Sequence, residues 1–485
     1  MTRLIILLFS TDIQKRETMK FSATNIGRFE KVELELNGLT VISGNNGCGK
    51  TTLGKALYAA TKCETYLLHN ILQKKYEIIQ DTLSHLQKVL FFVGQGNSNP
   101  KESSKGNKTL EKIKAFIEKN SNNDFPYSFN LQIIIDELAE LLKDDKVRDI
   151  LNRAKSLGIE NSYDETIPIL KAPVNFDDSD FNRKLVEYVF QAEFEKQLTS
   201  FARLGESSSV TLTTAKNSSK STFSIRNNTC TSCLFGQPNF QNIIYLDDVY
   251  ALDNRESDDS PQKIMNRITQ KKRLIMYDKD RGPSSSFGSD HRLDLVSLLS
   301  YIAQPKDRNI AEDISLDKIA KKFDPIFREI IGGQILYSKD TKDFIFSEND
   351  ESLYLRNTAS GVKAIGIIEL LLRNGYLHDS TCLIIDEPET HLHPEWQIKL
   401  AKLLVVLVAE TSIKILLNTH SPYFVEAIRT YSKSYAVGDK TKFYFVEPQP
   451  RFSSSITDVS DDITPIFELL AKPYRTLDLA YQETL

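Results

Sequence analysis

The feature that most constrains this chain of 485 residues is a glycine-rich run at 44–51, Gly-Asn-Asn-Gly-Cys-Gly-Lys-Thr. It matches the pattern G-x-x-x-x-G-K-[ST], with strand-like apolar sequence at 39–43 and helix-forming sequence at 53–60. Glycines let the backbone wrap around phosphate groups so that successive N–H groups point inward, and the following helix N-terminus adds partial positive charge. The run therefore predicts a phosphate-binding loop between a strand and a helix.

The residue types of this loop predict a triphosphate site with magnesium. We expect Lys50 to hold the β- and γ-phosphates and Thr51 to bind Mg²⁺. The residues predicted to bind the nucleotide in this segment are Gly44, Asn45, Asn46, Gly47, Cys48, Gly49, Lys50, Thr51 and Thr52.

Two acids follow a second apolar strand. Residues 381–385, Thr-Cys-Leu-Ile-Ile, are typical of a buried strand, and Asp386 and Glu387 come directly after it. Acids at this end of a parallel strand lie at the sheet edge that also carries a phosphate loop. We expect Asp386 to complete the Mg²⁺ shell through water and Glu387 to orient and polarise the attacking water. Glu389 is the less favoured candidate for this base.

A histidine follows the next apolar strand. Residues 413–417, Ile-Lys-Ile-Leu-Leu, predict a buried strand, and His420 lies just beyond it. At the tip of a core strand beside the acids, His420 can reach a γ-phosphate; the alternative is a structural histidine held by hydrogen bonds. His391 and His393 suggest a metal site, but Pro394 suits the start of a helix, so we favour a tight connecting loop there.

Composition excludes several classes of protein. With 61 Lys and Arg against 65 Asp and Glu, the net charge of −4 is incompatible with a globally basic nucleic-acid coat. The apolar run at 4–9 is far shorter than the ~20 residues that cross a bilayer, so we predict a cytoplasmic protein without a membrane segment. Five cysteines, an odd number, favour reduced thiols over a disulfide framework.

Three ordered motifs resemble those of ABC-type ATPases of the RecF, SMC and OLD (overcoming lysogenization defect) lineage, which includes anti-phage ATPases of OLD-like and Septu type. They are residues 44–51, the run Leu-Ile-Ile-Asp-Glu-Pro-Glu-Thr-His-Leu-His-Pro at 383–394, and Asn-Thr-His-Ser-Pro at 418–422. The resemblance implies an α/β P-loop NTPase fold of ABC (SMC/RecF-like) type that hydrolyses ATP with Mg²⁺. It assigns catalytic roles to Lys50, Glu387 and His420.

The resemblance also implies a homodimer, or a multiple of one, with composite ATP sites between two heads. By position, Ser360 and Gly361 would be the signature motif that touches the γ-phosphate of the opposite subunit. The transporter signature has a second glycine that this chain lacks, and a helix start without a ligand is the alternative. For the Q-loop, Asp247 and Asp248 rank equally because no glutamine can be assigned.

The order of patterns along the chain predicts a head that is split by a large, mainly helical insertion. Strand–helix alternation in the last third, joined to the start of the chain, predicts a mainly parallel sheet. We predict an upstream extension (1–18, with Met19 as a second plausible start), the first part of the head (19–60), the insertion (61–236), a central strand with a helical arm (237–330), the second part of the head (331–450) and a C-terminal segment (451–485).

The resemblance suggests that head dimerisation gates a partner in anti-phage defence. OLD-type proteins commonly carry a Toprim nuclease. Asp458, Asp461 and Asp462 do not supply the arrangement of acids that such a nuclease needs, so we expect a separate effector or nuclease. The alternative is a RecF-like DNA repair or chromosome-maintenance ATPase that binds DNA directly, with the basic residues at 267–273 as candidate contacts. A third class is a nucleotide-gated scaffold that barely turns over.

Overall fold

The computed structural model describes most of the chain in separate ranges. These are residues 18–95, 111–117, 131–156, 168, 171, 179–200, 203–214, 219–247, 290–302, 310–338, 343–349, 351–390 and 392–482. The chain divides into two compact units, residues 1–65 with 178–485, and residues 66–177. Residues 1–17, Asp248, His391 and the basic residues at 267–273 lie outside the described ranges.

The described strands all lie in the first unit and form two sheets. They are β1 Met19–Ile26, β2 Phe29–Leu36, β3 Leu39–Gly44, β4 Ser208–Thr214, β5 Lys220–Arg226, β6 Thr229–Leu234, β7 Asn242–Leu246, β8 Gln334–Ser338, β9 Asp343–Glu348, β10 Glu351–Tyr354, β11 Thr381–Asp386, β12 Lys414–Thr419, β13 Thr441–Gln449 and β14 Ser453–Asp458. The large sheet has the order β6-β5-β4-β1-β2-β14-β13-β3-β12-β11-β7, and β10-β9-β8 form the small one. Within the small sheet, β8 and β9 form an antiparallel hairpin.

The centre of the large sheet is parallel. β3 pairs with β12 and β13, and β11 pairs with β12 and β7, all in parallel. The register sets Asp386 opposite Asn418 and Ser43 opposite Thr419. As a result, the ends of β3, β11 and β12, which carry the predicted site residues, lie at one edge of the sheet.

The prediction of a mainly parallel sheet is right for this centre and wrong for the remainder. Half of the neighbouring strand pairs are antiparallel, among them β1–β2, β4–β1 and β4–β5–β6. Asn227 and Asn228, both in the left-handed region, close the tight β5–β6 turn, and Asn is favoured there because its side chain tolerates positive φ. The predicted boundaries at 61 and 236 stay predictions.

Helices connect the strands of the first unit and make up most of the described part of the second. The described helices are α1 Lys50–Gln95, α2 Leu131–Lys143, α3 Asp145–Ser156, α4 Ser179–Phe194, α5 His291–Ile302, α6 Ile310–Ile331, α7 Ser360–Arg373, α8 Pro394–Thr411, α9 Pro422–Ser434 and α10 Thr464–Gln482. Helix α7 ends with Asn374 as its C-cap, followed by Gly375 at φ +76°. Apolar residues of α6 to α9 form one buried cluster with β11 and β12.

The unit 66–177 has a hydrophobic core of its own. The part of α1 beyond Tyr66 brings apolar residues at helical spacing, such as Ile79, Leu83 and Leu86, to that core. Residues of α2, α3 and the helical stretch 111–117 complete it. Helix α1 runs without a break through this part of the chain.

The α/β fold class is confirmed by this alternation of a large sheet with covering helices. Over the described ranges, no helix has both the length and the apolar character needed to cross a bilayer. The architecture positions the chemistry because parallel strands with short, buried sequences end at the same edge.

Candidate nucleotide site

The loop between β3 and α1 adopts the conformation that its glycines permit. Gly47 and Gly49 have φ of +71° and +99°, where residues with a Cβ are strained. A Cβ on Gly44 would lie 2.3 Å from the Val446 carbonyl oxygen, so only glycine lets β3 pass this close to β13. Lys50 is buried, and its ammonium donates to the carbonyl oxygens of Gly44 and Asn45 at 3.0 Å each. The loop thus curls around the lysine that was predicted to hold phosphate.

The other residues of the loop differ in exposure. Asn45, Asn46 and Gly47 are exposed at the tip, whereas Cys48 is buried, and burial raises the pKa of its thiol. Thr52 is half-buried and lies against the β1–β2 turn, because a Cβ on Gly27 would be 2.7 Å from its methyl carbon. The tip is therefore open to an anion while the base of the loop is packed.

The hydroxyl of Thr51 and the carboxylate of Asp386 meet across the sheet edge. Thr51 Oγ1 donates to Asp386 Oδ2 at 2.6 Å. Burial raises the pKa of Asp386 despite that hydrogen bond. Tyr245 on β7 also donates to Asp386 Oδ2, at 3.5 Å, and closes the site from the neighbouring strand. Residues that are far apart in sequence thus form one oxygen-rich cluster at the phosphate loop.

This cluster fits a magnesium ion. Mg²⁺ prefers oxygen ligands and usually takes one or two carboxylates with a hydroxyl, phosphates and water. Asp386 Oδ1 is buried and has no hydrogen-bond partner among the described residues, which costs free energy unless a cation or water satisfies it. Thr51 and Asp386 are therefore the residues suited to hold Mg²⁺.

Glu387 lies in the left-handed region at φ +47°, which is uncommon for a residue with a long side chain. Its amide donates to the Asn418 carbonyl oxygen at 2.9 Å, so β12 holds this turn in place. The side chain remains 39% exposed and lines the cavity in front of the phosphate loop. Its carboxylate is accessible to water, as the predicted role requires.

Glu389, the less favoured base of the sequence analysis, is buried, and one of its two carboxylate oxygens is engaged by the next strand. Its Oε1 accepts hydrogen bonds from Thr419 Oγ1 at 2.7 Å, from the His420 amide at 2.6 Å and from the Ser421 amide at 3.1 Å. The side chain is only 4% exposed. Glu389 is thus placed to fix the backbone that carries His420.

His420 stands between the two glutamates. Its Nδ1 lies 3.2 Å from Glu389 Oε1 and 3.6 Å from Glu387 Oε1, and the ring is 39% exposed. The structure therefore brings Glu387 and His420 together at the open side of the sheet edge. His393, by contrast, caps α8, because its Nδ1 accepts from the Glu395 amide at 3.4 Å.

A cavity of about 350 Å³ lies in front of the loop. The residues lining it are Gly27, Arg28, Gly47, Gly49, Lys50, Thr51, Thr52, Gln197, Thr199, Ser200, Glu387 and Phe452. Tyr245 and the residues contributed by 27–28, 197–200 and the β13–β14 turn were not predicted from the sequence. These residues belong to no local sequence motif, and the pairing of distant segments brings them to the site.

Ser360 and Gly361 begin α7, as predicted. The N-cap residue Ala359 makes no side-chain hydrogen bond to the helix, so the N–H groups of this end lack a side-chain cap. A Cβ on Gly361 would lie 2.6 Å from Leu392, so this glycine permits close packing. Among the described residues, no hydrogen bond or ion pair joins Ser360 or Gly361 to the phosphate loop of the same chain. Lys363, in the first turn of α7, is 3% exposed.

Asp247, one of the two Q-loop candidates, forms ion pairs with His291 and Arg292. Its Oδ2 lies 2.9 Å from His291 Nε2 and accepts from Arg292 at 2.7 Å. His291 Nδ1 is 2.6 Å from Glu193 Oε1. Burial would lower the pKa of His291, but these two carboxylates raise it to about 9. The network is linked to the site by Tyr245, whose ring stacks on His291 with centroids 4.3 Å apart.

Comparison with known proteins gives one family and one curated relative. A sequence model described as the AAA ATPase domain matches residues 19–425. The Septu protein PtuA of Bacillus thuringiensis is 32% identical over 100 residues, which cover 18% of this chain and 25% of that protein. The match thus spans about a quarter of the length of this relative. The predicted relationship to P-loop ATPases of this lineage is confirmed at the level of the family.

Solved structures of SMC head domains show a low similarity. A SmcHead bound to the C-winged helix domain of ScpA is 11% identical, with a TM-score of 0.41, 91% of this chain and 97% of that chain covered. The SMC head domain from Thermotoga maritima is 10% identical, with a TM-score of 0.35; the match covers 91% of this chain and 99% of that chain. A third structure is the Smc head domain with an extended coiled coil bound to the C-terminal domain of ScpA, derived from Pyrococcus furiosus. It is 10% identical, with a TM-score of 0.39, and the match covers 94% of this chain and 99% of that chain. At these TM-scores we base no conclusion on them.

Proposed function

The chain belongs to the AAA ATPase domain family, and from this premise we propose that it hydrolyses ATP in the cavity in front of residues 44–51. The observation that supports this most directly is the 2.6 Å hydrogen bond between Thr51 and Asp386. It joins the end of the phosphate loop to the acid of a distant strand. Such a pair is what a magnesium-bound triphosphate requires.

The roles follow from the positions of the side chains. Lys50 exchanges its carbonyl partners for the β- and γ-phosphates, while Thr51 and Asp386 hold Mg²⁺. Bound Mg²⁺ would neutralise charge on the phosphate oxygens. Glu387 orients and polarises the attacking water, since its half-exposed carboxylate lines the cavity. His420 lies beside Glu387 and senses or stabilises the γ-phosphate.

Composite sites in a homodimer are part of this proposal. The uncapped start of α7, with Ser360 and Gly361, offers N–H groups and a hydroxyl to an anion. Because no hydrogen bond or ion pair joins these residues to the phosphate loop of their own chain in the described structure, we assign them to the ATP of a second copy. The cytoplasmic location also remains a prediction.

We further propose that closure of the two heads gates a separate effector or nuclease in anti-phage defence. The support is the local similarity to the Septu protein PtuA. Copurification with the products of adjacent genes, with and without ATP, tests this part. A protein that binds DNA alone with strong salt dependence, and recruits no partner, would instead favour the RecF-like alternative.

The proposed reaction is tested with two variants and a control. We expect Lys50→Ala to abolish MgATP binding in calorimetry, because the phosphates lose their buried cation. Glu387→Gln should keep MgATP binding but lower kcat at least ~100-fold, the range for losing a general base. The control Glu395→Gln removes an exposed acid at the start of α8 and should leave both unchanged. Equal turnover by Glu387→Gln and wild type would show that the catalytic assignment is wrong.

A further inference from the structure

One end of the cavity is lined by three separate segments. The amide of Gly27 in the β1–β2 turn donates to the Leu198 carbonyl oxygen at 2.9 Å, and Gly27 forms a bridge with Thr199. On the other side, the Ser454 amide donates to the Arg28 carbonyl oxygen at 3.0 Å. The turn is thus held between the segment after α4 and the hairpin β13–β14.

Arg28 and Phe452 form a stacked pair at this end. The guanidinium carbon of Arg28 lies 3.8 Å from the centroid of the Phe452 ring. A planar cation on an aromatic face is electrostatically favourable and orients both groups. Phe452 is nevertheless 60% exposed, so the ring adds little to the core. Together the two groups present a flat, cationic and apolar surface to the cavity.

The backbone under this pair is unfavourable for the residues that occupy it. Arg451 and Phe452 have φ of +60° and +58° in the turn between β13 and β14. A tight hairpin turn with two such residues normally takes Asn and Gly, because a larger side chain is strained there. Strained backbone persists chiefly at sites where the side chain serves a function. An exposed phenylalanine at this turn therefore needs an explanation other than stability.

The position of the pair relative to the phosphate loop supplies the explanation. Arg28 and Phe452 line the same cavity of about 350 Å³ as Lys50 and Thr51. The β1–β2 turn packs directly on Thr52, so the stacked surface begins where the phosphate loop ends. Cavities of this size hold a nucleotide-sized ligand. A triphosphate held by the loop would extend its sugar and base toward the pair.

We propose that Arg28 and Phe452 form the subsite that stacks the nucleobase, which makes this a site for purine nucleoside triphosphates. The inference rests on the proposed function and adds the residues that recognise the base. Purines offer a larger stacking surface than pyrimidines, so MgATP binds more tightly than MgCTP. Gln197, Thr199 and Ser200 at the rim present polar groups toward the sugar and the base edge.

The test uses Phe452→Asn, because asparagine tolerates the left-handed turn but has no ring. By calorimetry, we expect MgATP to bind Phe452→Asn ~10-fold more weakly than wild type, within the range for losing one base–aromatic stack. Magnesium tripolyphosphate, which has no base, should bind both proteins equally. The melting temperature should stay the same or rise, since the turn loses strain. Phe452→Trp should retain wild-type MgATP affinity.

Control and contrary outcomes separate this inference from the proposed function. Tyr435→Ala removes another exposed aromatic ring, at the end of α9, and should leave MgATP affinity unchanged. If wild type binds both ligands and Phe452→Asn binds MgATP equally well, the base subsite is wrong and the ATPase proposal stands. A loss of affinity that is equal for MgATP and tripolyphosphate also overturns the subsite. Wild-type protein that binds neither ligand overturns both.

Discussion

Three acids within four residues illustrate how the environment separates residues of one chemical type. Asp386 is half-buried and bonded to Thr51, Glu387 is half-exposed in the cavity, and Glu389 is buried with three donors on one oxygen. A carboxylate that accepts several backbone N–H groups is committed to structure. A partly solvated carboxylate remains available to water. Their environments favour Glu387 over Glu389 as the base.

This difference predicts opposite phenotypes for the two glutamates. We expect Glu389→Ala to lower the free energy of unfolding by ~2–4 kcal/mol, because Thr419 and two backbone amides lose their buried acceptor. Glu387→Gln should change it by less than ~0.5 kcal/mol while abolishing turnover, as expected of an exposed position. Urea denaturation, paired with an ATPase assay, measures both. A stable, inactive Glu389→Ala protein would contradict the structural role.

At the scale of elements, one buried histidine joins three of them. His291 at the start of α5 binds Glu193 of α4 and Asp247 after β7, and it stacks on Tyr245. Two carboxylates around one imidazole favour the charged form. The network therefore fastens the helices to the strand that borders Asp386.

The network predicts a stability that falls at alkaline pH. The folded pKa of His291, about 9, is raised above the ordinary value of 6.5. Its contribution is therefore fully present below pH 6.5 and is lost as pH rises through about 9. We expect a loss on the order of 2–3 kcal/mol across this window in urea denaturation. His291→Gln should be less stable at pH 6 and should lack this slope; an unchanged slope would contradict the assignment.

At the scale of the molecule, the start of α7 is the feature on which the proposal of a second copy rests. Ser360 and Gly361 form an uncapped helix end. A helix N-terminus stabilises negative charge through its free N–H groups and its dipole. The ATP of an opposing head would provide that charge, and each nucleotide would then bridge two chains.

This arrangement predicts an oligomeric state that depends on ATP. In analytical ultracentrifugation, Glu387→Gln with MgATP should shift from monomer to dimer or a multiple of it, since unhydrolysed ATP keeps the heads closed. Adding Ser360→Arg should prevent the shift by blocking the helix end. Ser434→Arg, at the exposed end of α9, serves as the control and should still dimerise. An oligomeric state that changes neither with ATP nor with Ser360→Arg would exclude a composite site.

The sequence by itself determined the phosphate loop, the acid-bearing strand and the histidine beyond the next strand. These are local: glycine spacing permits the turns, and short apolar runs predict buried strands that end at polar residues. The helix starting at Pro394 was likewise predictable from the sequence, because proline suits the first position of a helix.

Only the tertiary structure decided which distant residues meet. Strand order places Asp386 on Thr51, puts Glu389 under the His420 backbone, and brings Phe452 from a late hairpin onto Arg28. The antiparallel half of the sheet, including β4 to β6, was decided in the same way. Pairing partners and register follow from the packing free energy of the whole chain, which local spacing does not encode.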